Sequence, residues 1–192
     1  MLRALANLRN DIGKLATLPI SRETKPHVDS ALQSMSWFER EAMEWAPRNP
    51  FEGRGLRESF ERMDYSVRSA SNNLSKAQQL FVYIDDDLKD KRELCRRQGL
   101  DGRRRVSVIT KRDGVQEVQG LEVLYLEKFL EAENAAKPQQ FSRFSSPAVE
   151  DLVPGRYVFW AKQAGNGGRE GQRKEARVSD GSPPGPLELL AP

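Results

Sequence analysis

The most regular feature of the sequence is a series of apolar residues spaced alternately four and three positions apart between residues 56 and 88. This spacing lines the residues along one face of an α-helix and is typical of helices that pack lengthwise on one another. The series consists of Leu56, Phe60, Met63, Val67, Ala70, Leu74, Ala77, Phe81, Ile84 and Leu88. It predicts one long helix over about residues 56–98, with Gly99 as the terminating residue.

Two shorter series of the same kind come earlier and predict two more helices. We expect the first from about Leu2 to Ala16, and the second from about Pro26, where proline suits the first helical turn, to Pro47. Their apolar faces consist of Leu5, Leu8, Ile12 and Leu15 in the first, and of Val28, Ala31, Met35, Phe38, Ala42 and Trp45 in the second. Helices with matching faces and short connections indicate an antiparallel hairpin or three-helix coiled coil over residues 1–99.

The predicted lengths suggest an interaction surface on the long helix. At 1.5 Å per residue the second helix is about 30 Å long and the third about 65 Å, so the second can cover only half of the third. The uncovered part contains Ala77, Phe81, Ile84 and Leu88. The first helix is one candidate cover, and the other is a partner protein or a second copy of the chain. We expect these four residues to form a partner interface, with the chain as a possible homo-oligomer.

The pattern changes after residue 100 to short runs rich in β-branched and aromatic residues, separated by glycine and proline. Such runs are typical of β-strands. They lie at residues 105–111, 121–130, 139–144, 156–162, 174–179 and 186–190. Residues 131–138 fit a helical turn or an exposed loop. The fold class is therefore predicted as α+β in two domains, a helical domain over 1–99 and an antiparallel β-sandwich over 100–192.

Two segments of the second half are similar to a known family. Residues 106–125, VSVITKRDGVQEVQGLEVLY, resemble the opening of transthyretin-like sandwiches, the family of carboxypeptidase regulatory domains, and residues 152–161, LVPGRYVFWA, resemble its Leu-x-Pro-Gly-x-Tyr segment. The resemblance implies a turn at Pro154-Gly155 and a buried anchoring ring at Tyr157, with its hydroxyl bonded near that turn. Glu117 stands where the family has a proline. Such modules serve as spacers, interaction domains or carbohydrate-binding surfaces.

The composition narrows the possible partners and compartments. The chain has 31 Lys and Arg against 28 Asp and Glu, spread evenly, so it lacks the surplus typical of phosphate-binding surfaces. Its single cysteine, Cys95, cannot form an internal disulfide, and this favours a reducing compartment. No apolar stretch approaches the ~20 residues that span a bilayer, and charges interrupt the N-terminal leucines. We therefore expect a cytoplasmic protein.

Acidic and histidine side chains provide few candidates for catalysis or metal binding. Asp85, Asp86, Asp87 and Asp90 fall around the predicted helix rather than on one side, so we expect a solvated face paired with nearby lysines, and a metal site only as the alternative. His27, the only histidine, is expected to be exposed and structural. No catalytic residue, metal ligand or cofactor-binding residue is predicted, although paired carboxylates leave no local motif.

A basic cluster and a glycine-rich segment are the remaining candidates. Arginine suits phosphate groups, which makes the cluster a candidate anion contact, although complementarity to the helix dipole and pairing between the domains are the favoured explanation. Its members are Arg96, Arg97, Arg103, Arg104 and Arg105. The glycine-rich residues 164–172 lack the ending of a phosphate-binding loop and predict a mobile hairpin connection.

These observations favour a non-enzymatic protein-interaction or scaffolding adaptor that assembles through its helices and displays loops or strand edges of the sandwich. One alternative is a nucleic-acid-binding protein that uses the Arg96–Arg105 segment. Another is a carbohydrate-binding or surface module of a secreted assembly.

Overall fold

A computed structural model describes residues 1–45, 53–98, 103–131, 137–142, 146–165, 167–179 and 185–192. These residues form four helices followed by two β-sheets, so the predicted α+β layout is confirmed. The chain divides into a helical unit, Met1–Gly102 with Val153–Gly155, and a β unit, Arg103–Leu152 with Arg156–Pro192. The predicted helix ends at Pro47 and Gly99, the predicted boundary between residues 99 and 100, and most of residues 131–138 lie outside the described residues.

The helical unit contains α1 (Leu2–Leu15), α2 (Lys25–Trp45), α3 (Arg54–Ser69) and α4 (Leu74–Gln98). The single long third helix of the prediction is wrong, because the chain turns at residues 70–73. Ser71, Asn72 and Asn73 favour turns and caps, since their side chains compete for backbone hydrogen bonds. Asn73 caps α4 by accepting the amide N–H of Lys76 on Oδ1 at 3.0 Å.

Packing inside the helical unit buries the apolar series except Leu74, which follows the turn and is 37% exposed. α1 packs against α2 and α3, and α2 also packs against α4. The two expected covers are thus exchanged: the first helix lies on the part of the series before the turn, and the second on the part after it. Ala77, Phe81, Ile84 and Leu88 are each 0% exposed. The predicted partner interface at these residues is therefore wrong, because they belong to the core of the helical unit.

The described residues of the β unit form eight strands in two sheets. They are β1 (Arg104–Arg112), β2 (Gln116–Glu117), β3 (Leu121–Glu127), β4 (Gln139–Gln140), β5 (Ala148–Leu152), β6 (Gly155–Gln163), β7 (Lys174–Val178) and β8 (Leu187–Leu190). One sheet has β1 between β5 and β8, with β2 also on β1, and the other has the order β4-β3-β6-β7. β8 runs parallel to β1, with Lys111 opposite Leu190, whereas β1 and β5 are antiparallel.

Most strands lie where the sequence predicts them, with three differences. The predicted strand 121–130 ends at Glu127 and continues as a 3₁₀ turn, and the predicted strand 139–144 shortens to two residues. β2 and β5 were not predicted, because β2 is only two residues long and β5 contains Glu150 and Asp151. Charged residues of this kind are depleted in strands, so they hide the pattern.

The two sheets share one apolar core. It consists of Val108, Ala148, Leu152 and Leu189 from the first sheet, and Val123, Tyr125, Phe141, Tyr157, Phe159, Ala161 and Val178 from the second sheet and the segments beside it. The ring centroids of Tyr125 and Phe141 lie 5.5 Å apart at an edge-to-face angle, which suits the aromatic quadrupole. The expected burial of Tyr157 is confirmed, whereas the bond expected of its hydroxyl stays a prediction.

Candidate functional site

The five arginines of the predicted anion contact are divided between the two units. Arg96 and Arg97 lie on α4, whereas Arg103 precedes β1 and Arg104 and Arg105 begin it. Arg96 stacks over Trp37 at 5.7 Å from the ring centroid, and Arg97 pairs with Glu93 at 2.7 Å. Arg105 lies 3.9 Å from Asp151. Three of the five thus have aromatic or carboxylate neighbours inside their own unit.

The acidic run on α4 is largely buried, so the expected solvated face is wrong. Asp85, Asp87 and Asp90 are buried, and so is Lys91, which is 0% exposed. Lysines one helical turn further on neutralise two of these carboxylates: Lys89 donates to Asp85 at 2.7 Å, and Lys91 to Asp87. The predicted pairing at helical spacing is confirmed. Buried charges remain ionised only when they are paired and hydrogen-bonded in this way.

The Asp87–Lys91 pair also binds a segment that lies far away in the sequence. Lys91 Nζ donates to the carbonyl oxygen of Pro154 at 2.6 Å. A Cβ atom added to Gly155 would lie 2.0 Å from Asp87 Oδ1, so the backbone approaches the carboxylate more closely than any side chain allows. This contact explains why Val153–Gly155 belongs to the helical unit. It is a structural site, because Lys91 and Asp87 are closed to solvent.

His27 has a specific partner that the sequence did not indicate. Its Nδ1 lies 2.7 Å from Oδ2 of Asp85, a residue 58 positions further along the chain. The His27 side chain is partly exposed, whereas Asp85 is buried and its Oδ1 has no hydrogen-bond partner among the described residues. The expected exposed role is therefore wrong in part. A carboxylate that orients a histidine suits proton transfer, yet no nucleophile or further ligand is described beside this pair.

A cleft of about 270 Å³ lies between the last turns of α1 and α3 and contains a second acidic group. Asp11 in this cleft accepts from Lys14 at 2.7 Å, and Asp64 behind it pairs with Arg68 at 3.0 Å. The hydrogen bond from Lys14 lowers the pKa of Asp11. Burial, followed by the nearby Asp11 carboxylate, raises the pKa of Asp64 against the opposing effect of Arg68.

Asp11 and Asp64 interact electrostatically, and of the two only Asp11 lines the cleft. The Asp64 side chain is 8% exposed, and its buried Oδ1 has no hydrogen-bond partner among the described residues. Protonation of Asp64 relieves its repulsion with the Asp11 carboxylate.

A cavity lined by several charged side chains lies in the β unit, and we call it the β8 groove. It has a volume of about 370 Å³ and runs between β8 and the residues just before and at the start of β7. Its lining is Lys111, Gly114, Gln172, Arg173, Lys174, Glu188, Leu189 and Leu190. Three cationic side chains thus surround one carboxylate.

Hydrogen bonds and stacking hold the cations of the β8 groove in place. Lys111 Nζ lies 2.5 Å from Glu188 Oε1, and Lys174 Nζ donates to the main-chain oxygen of Glu188 at 3.1 Å. The Arg173 guanidinium lies 4.6 Å above the centroid of the Trp160 ring. Stacking of this kind reduces the freedom of the arginine and presents its N–H groups. The arrangement suits the binding of carboxylate groups.

The described residues contain no cluster of three or more His, Cys, Asp or Glu side chains suited to a metal ion. In the same part of the chain, no helix combines the length and the apolar character that a membrane span requires. No protein-family model, curated protein or solved structure matches the chain.

Sequence reasoning missed the β8 groove because its residues come from three separate segments. Lys111 lies on β1, Gln172–Lys174 on the connection into β7, and Glu188–Leu190 on β8. Residues 164–172, predicted as a mobile hairpin connection, lie between β6 and β7 and lead to the groove, and their mobility stays a prediction. Only the parallel pairing of β8 with β1 brings Lys111 and Glu188 together, and no local motif encodes that pairing.

Proposed function

We propose that the chain is a non-enzymatic protein-interaction adaptor whose β8 groove binds an acidic segment of a partner protein. The observation that carries this proposal is the set of three cations, Lys111, Arg173 and Lys174, around a cavity that the half-exposed Leu190 side chain also lines. Cations at the rim attract carboxylates, and the Leu190 side chain accepts the methylene groups of a glutamate side chain. Because the apolar series of the helices is used in their own core, the partner surface lies on the β unit.

A protein partner fits the β8 groove better than a nucleic acid. Nucleic acids require an extended basic surface that follows a line of phosphates. Here the groove contains Glu188 in its centre, and Arg173 lies 3.8 Å from Glu170. Acidic side chains at such points repel a phosphate backbone but leave room for single carboxylates.

Binding of a fluorescently labelled, glutamate-rich peptide, measured by anisotropy, tests this function. We expect saturable binding that weakens as the ionic strength rises, because surface charges are screened. The Arg173→Gln, Lys174→Gln variant should bind about tenfold more weakly, since it loses two charge-assisted contacts. The matched control is Lys25→Gln with Arg54→Gln, which removes two exposed charges from the helical unit and should leave the affinity unchanged.

Three results would reject the proposed function. The first is the absence of saturable peptide binding, and the second is an equal loss in both double variants. The third is tighter binding of a DNA duplex than of the peptide, weakened by the same groove substitutions, which would favour the nucleic-acid alternative.

We also propose a finer description of the β unit, of the helices and of the compartment. Two sheets with a common core support a β-sandwich of the transthyretin-like kind, in which the strand edge at β8 serves recognition. The amphipathic helices support a coiled-coil-like scaffold. A single cysteine supports a reducing compartment such as the cytoplasm.

A further inference from the structure

Inside the β8 groove, one of the cationic side chains already pairs with a carboxylate of the chain itself. Glu188 Oε1 lies 2.5 Å from Lys111 Nζ. The Glu188 side chain is 53% exposed, whereas that of Lys111 is only 20% exposed. An exposed carboxylate therefore reaches inward to a largely enclosed ammonium group.

The strand register shows that this contact is diagonal. Glu188 lies opposite Ile109, and Lys111 lies opposite Leu190. Side chains two positions apart in a strand share a face, so Glu188 leans along the sheet to reach Lys111. The contact is not imposed by direct cross-strand opposition, and the carboxylate can swing away without a change in the pairing of β8.

Separation of the Glu188–Lys111 pair would cost the two side chains different amounts of free energy, because their access to water differs. Glu188 would gain a full hydration shell, because it already lies half in solvent. Lys111 would keep little water around its ammonium group and would need another anion. A carboxylate from a bound segment meets that need, so exchanging one for the other conserves the ion pair.

We propose that Glu188 is a resident substitute for the partner's carboxylate, and that an acidic side chain of the bound segment displaces it from Lys111. This inference rests on the proposed function, since it assigns the point at which the acidic segment is held. It makes Glu188 a specificity-determining residue, because a ligand must replace an existing ion pair before Lys111 contributes to binding. Segments with several neighbouring carboxylates are favoured over isolated anions, since their other carboxylates contact Arg173 and Lys174.

Substitution of Glu188 in the full chain, with the glutamate-rich peptide as the probe, tests the inference. Glu188→Gln keeps the shape of the side chain and the main-chain oxygen that Lys174 contacts. We expect the peptide to bind about tenfold more tightly to this variant, because Lys111 is no longer occupied. The matched control is Glu170→Gln, which removes a carboxylate 3.8 Å from Arg173 and should change the affinity by about twofold or less.

A second substitution separates displacement from a general charge effect. In the Glu188→Gln background, Lys111→Gln should cancel the gain in affinity, because the gain comes from the released ammonium group. A gain that persists without Lys111, or an equal gain in Glu170→Gln, would overturn the inference while leaving the proposed function intact. Absence of peptide binding in both the wild type and Glu188→Gln would overturn the proposed function, and the inference with it.

Discussion

At the scale of single residues, two glycines of the helical unit differ in the space available for a side chain. Gly155 lies against a buried carboxylate, and a Cβ there would be 2.0 Å from Asp87 Oδ1. Gly13 lies inside α1, and a Cβ there would meet no atom within 4 Å. The first glycine is required by packing, whereas the second only adds flexibility to the unfolded chain and to the helix.

Alanine substitution should therefore change stability in opposite directions at these two sites. Gly155→Ala should lower the free energy of unfolding by about 2 kcal/mol or more, because Asp87 and Lys91 must shift. Gly13→Ala should raise it by roughly 0.5–1 kcal/mol, the usual difference between the two residues in a helix. Urea unfolding followed by circular dichroism measures both. Equal effects at the two positions would contradict the close contact assigned to Gly155.

The pH dependence of stability should distinguish the two carboxyls of the α1–α3 cleft. Burial raises the pKa of Asp64, so its ionisation destabilises the folded protein as pH rises from the ordinary aspartate pKa of 3.8 through the folded pKa. Asp64→Asn should thus be more stable than the wild type at neutral pH by about 1 kcal/mol, with the difference vanishing below pH 3.8. Its amide can also donate to the Asp11 carboxylate.

Asp11→Asn is the matched control, and we expect it to change the stability at neutral pH in the opposite direction. The Lys14 hydrogen bond lowers the pKa of Asp11, so its carboxylate stabilises the fold above 3.8 and loses that effect as pH falls through the folded pKa. Asp11→Asn should therefore be slightly less stable than the wild type at neutral pH, since Lys14 is largely exposed. Thermal unfolding across acidic and neutral pH gives both profiles. A destabilised Asp64→Asn at neutral pH would contradict the raised pKa of Asp64.

At the scale of secondary structure, the turn between α3 and α4 depends on one cap. Asn73→Ala should lower the free energy of unfolding by about 1 kcal/mol, because the amide of Lys76 loses its acceptor. Asn72→Ala, at the exposed neighbouring position, is the matched control and should have little effect. Chemical denaturation reports both values. If the two variants are equally stable, Asn73 is not the residue that ends the turn.

The helices and strands show which parts of the fold can be predicted from the local sequence pattern. The spacing of apolar residues identified most of the helical core, although it missed Leu80 and Leu94 on α4, and it ran through residues 70–73 without a sign of the break. Ala70 and Leu74 keep the helical spacing, and only the Ser-Asn-Asn composition marks the turn. Strands with β-branched and aromatic residues were predictable, whereas β2 and β5 depend on pairing with β1. His27 and Asp85, 58 residues apart, meet only through the packing of α2 on α4.

At the scale of the whole chain, the helical unit takes three residues from the β half of the sequence. Val153–Gly155 belong to it, and Pro154 supplies an acceptor to the enclosed ammonium of Lys91. A boundary drawn only where the hydrophobic period changes therefore omits part of the helical unit. No local signal predicts this, because Pro154-Gly155 is typical of a turn between two strands.

The apolar residues on α4 should behave as internal core when they are replaced. Phe81→Asp with Leu88→Asp should abolish most of the helical circular dichroism signal, because two carboxylates would be placed at sites that are 0% exposed. The matched control is Met43→Asp with Tyr65→Asp, at exposed helical positions, and should leave the signal intact. Intact helicity with a reduced mass in solution would instead show that the two α4 residues form an interface between copies.

Under the function proposed above, the partner surface lies at the β8 groove and not on the helices. Chemical-shift mapping of the full chain by NMR, during titration with the glutamate-rich peptide, tests this most directly. We predict that the largest backbone shift changes occur at Lys111, at Gln172–Lys174 and at Glu188–Leu190, while α1 to α4 remain unaffected. Changes that concentrate on the helices, or a spectrum that the peptide leaves unaltered, would contradict the claim.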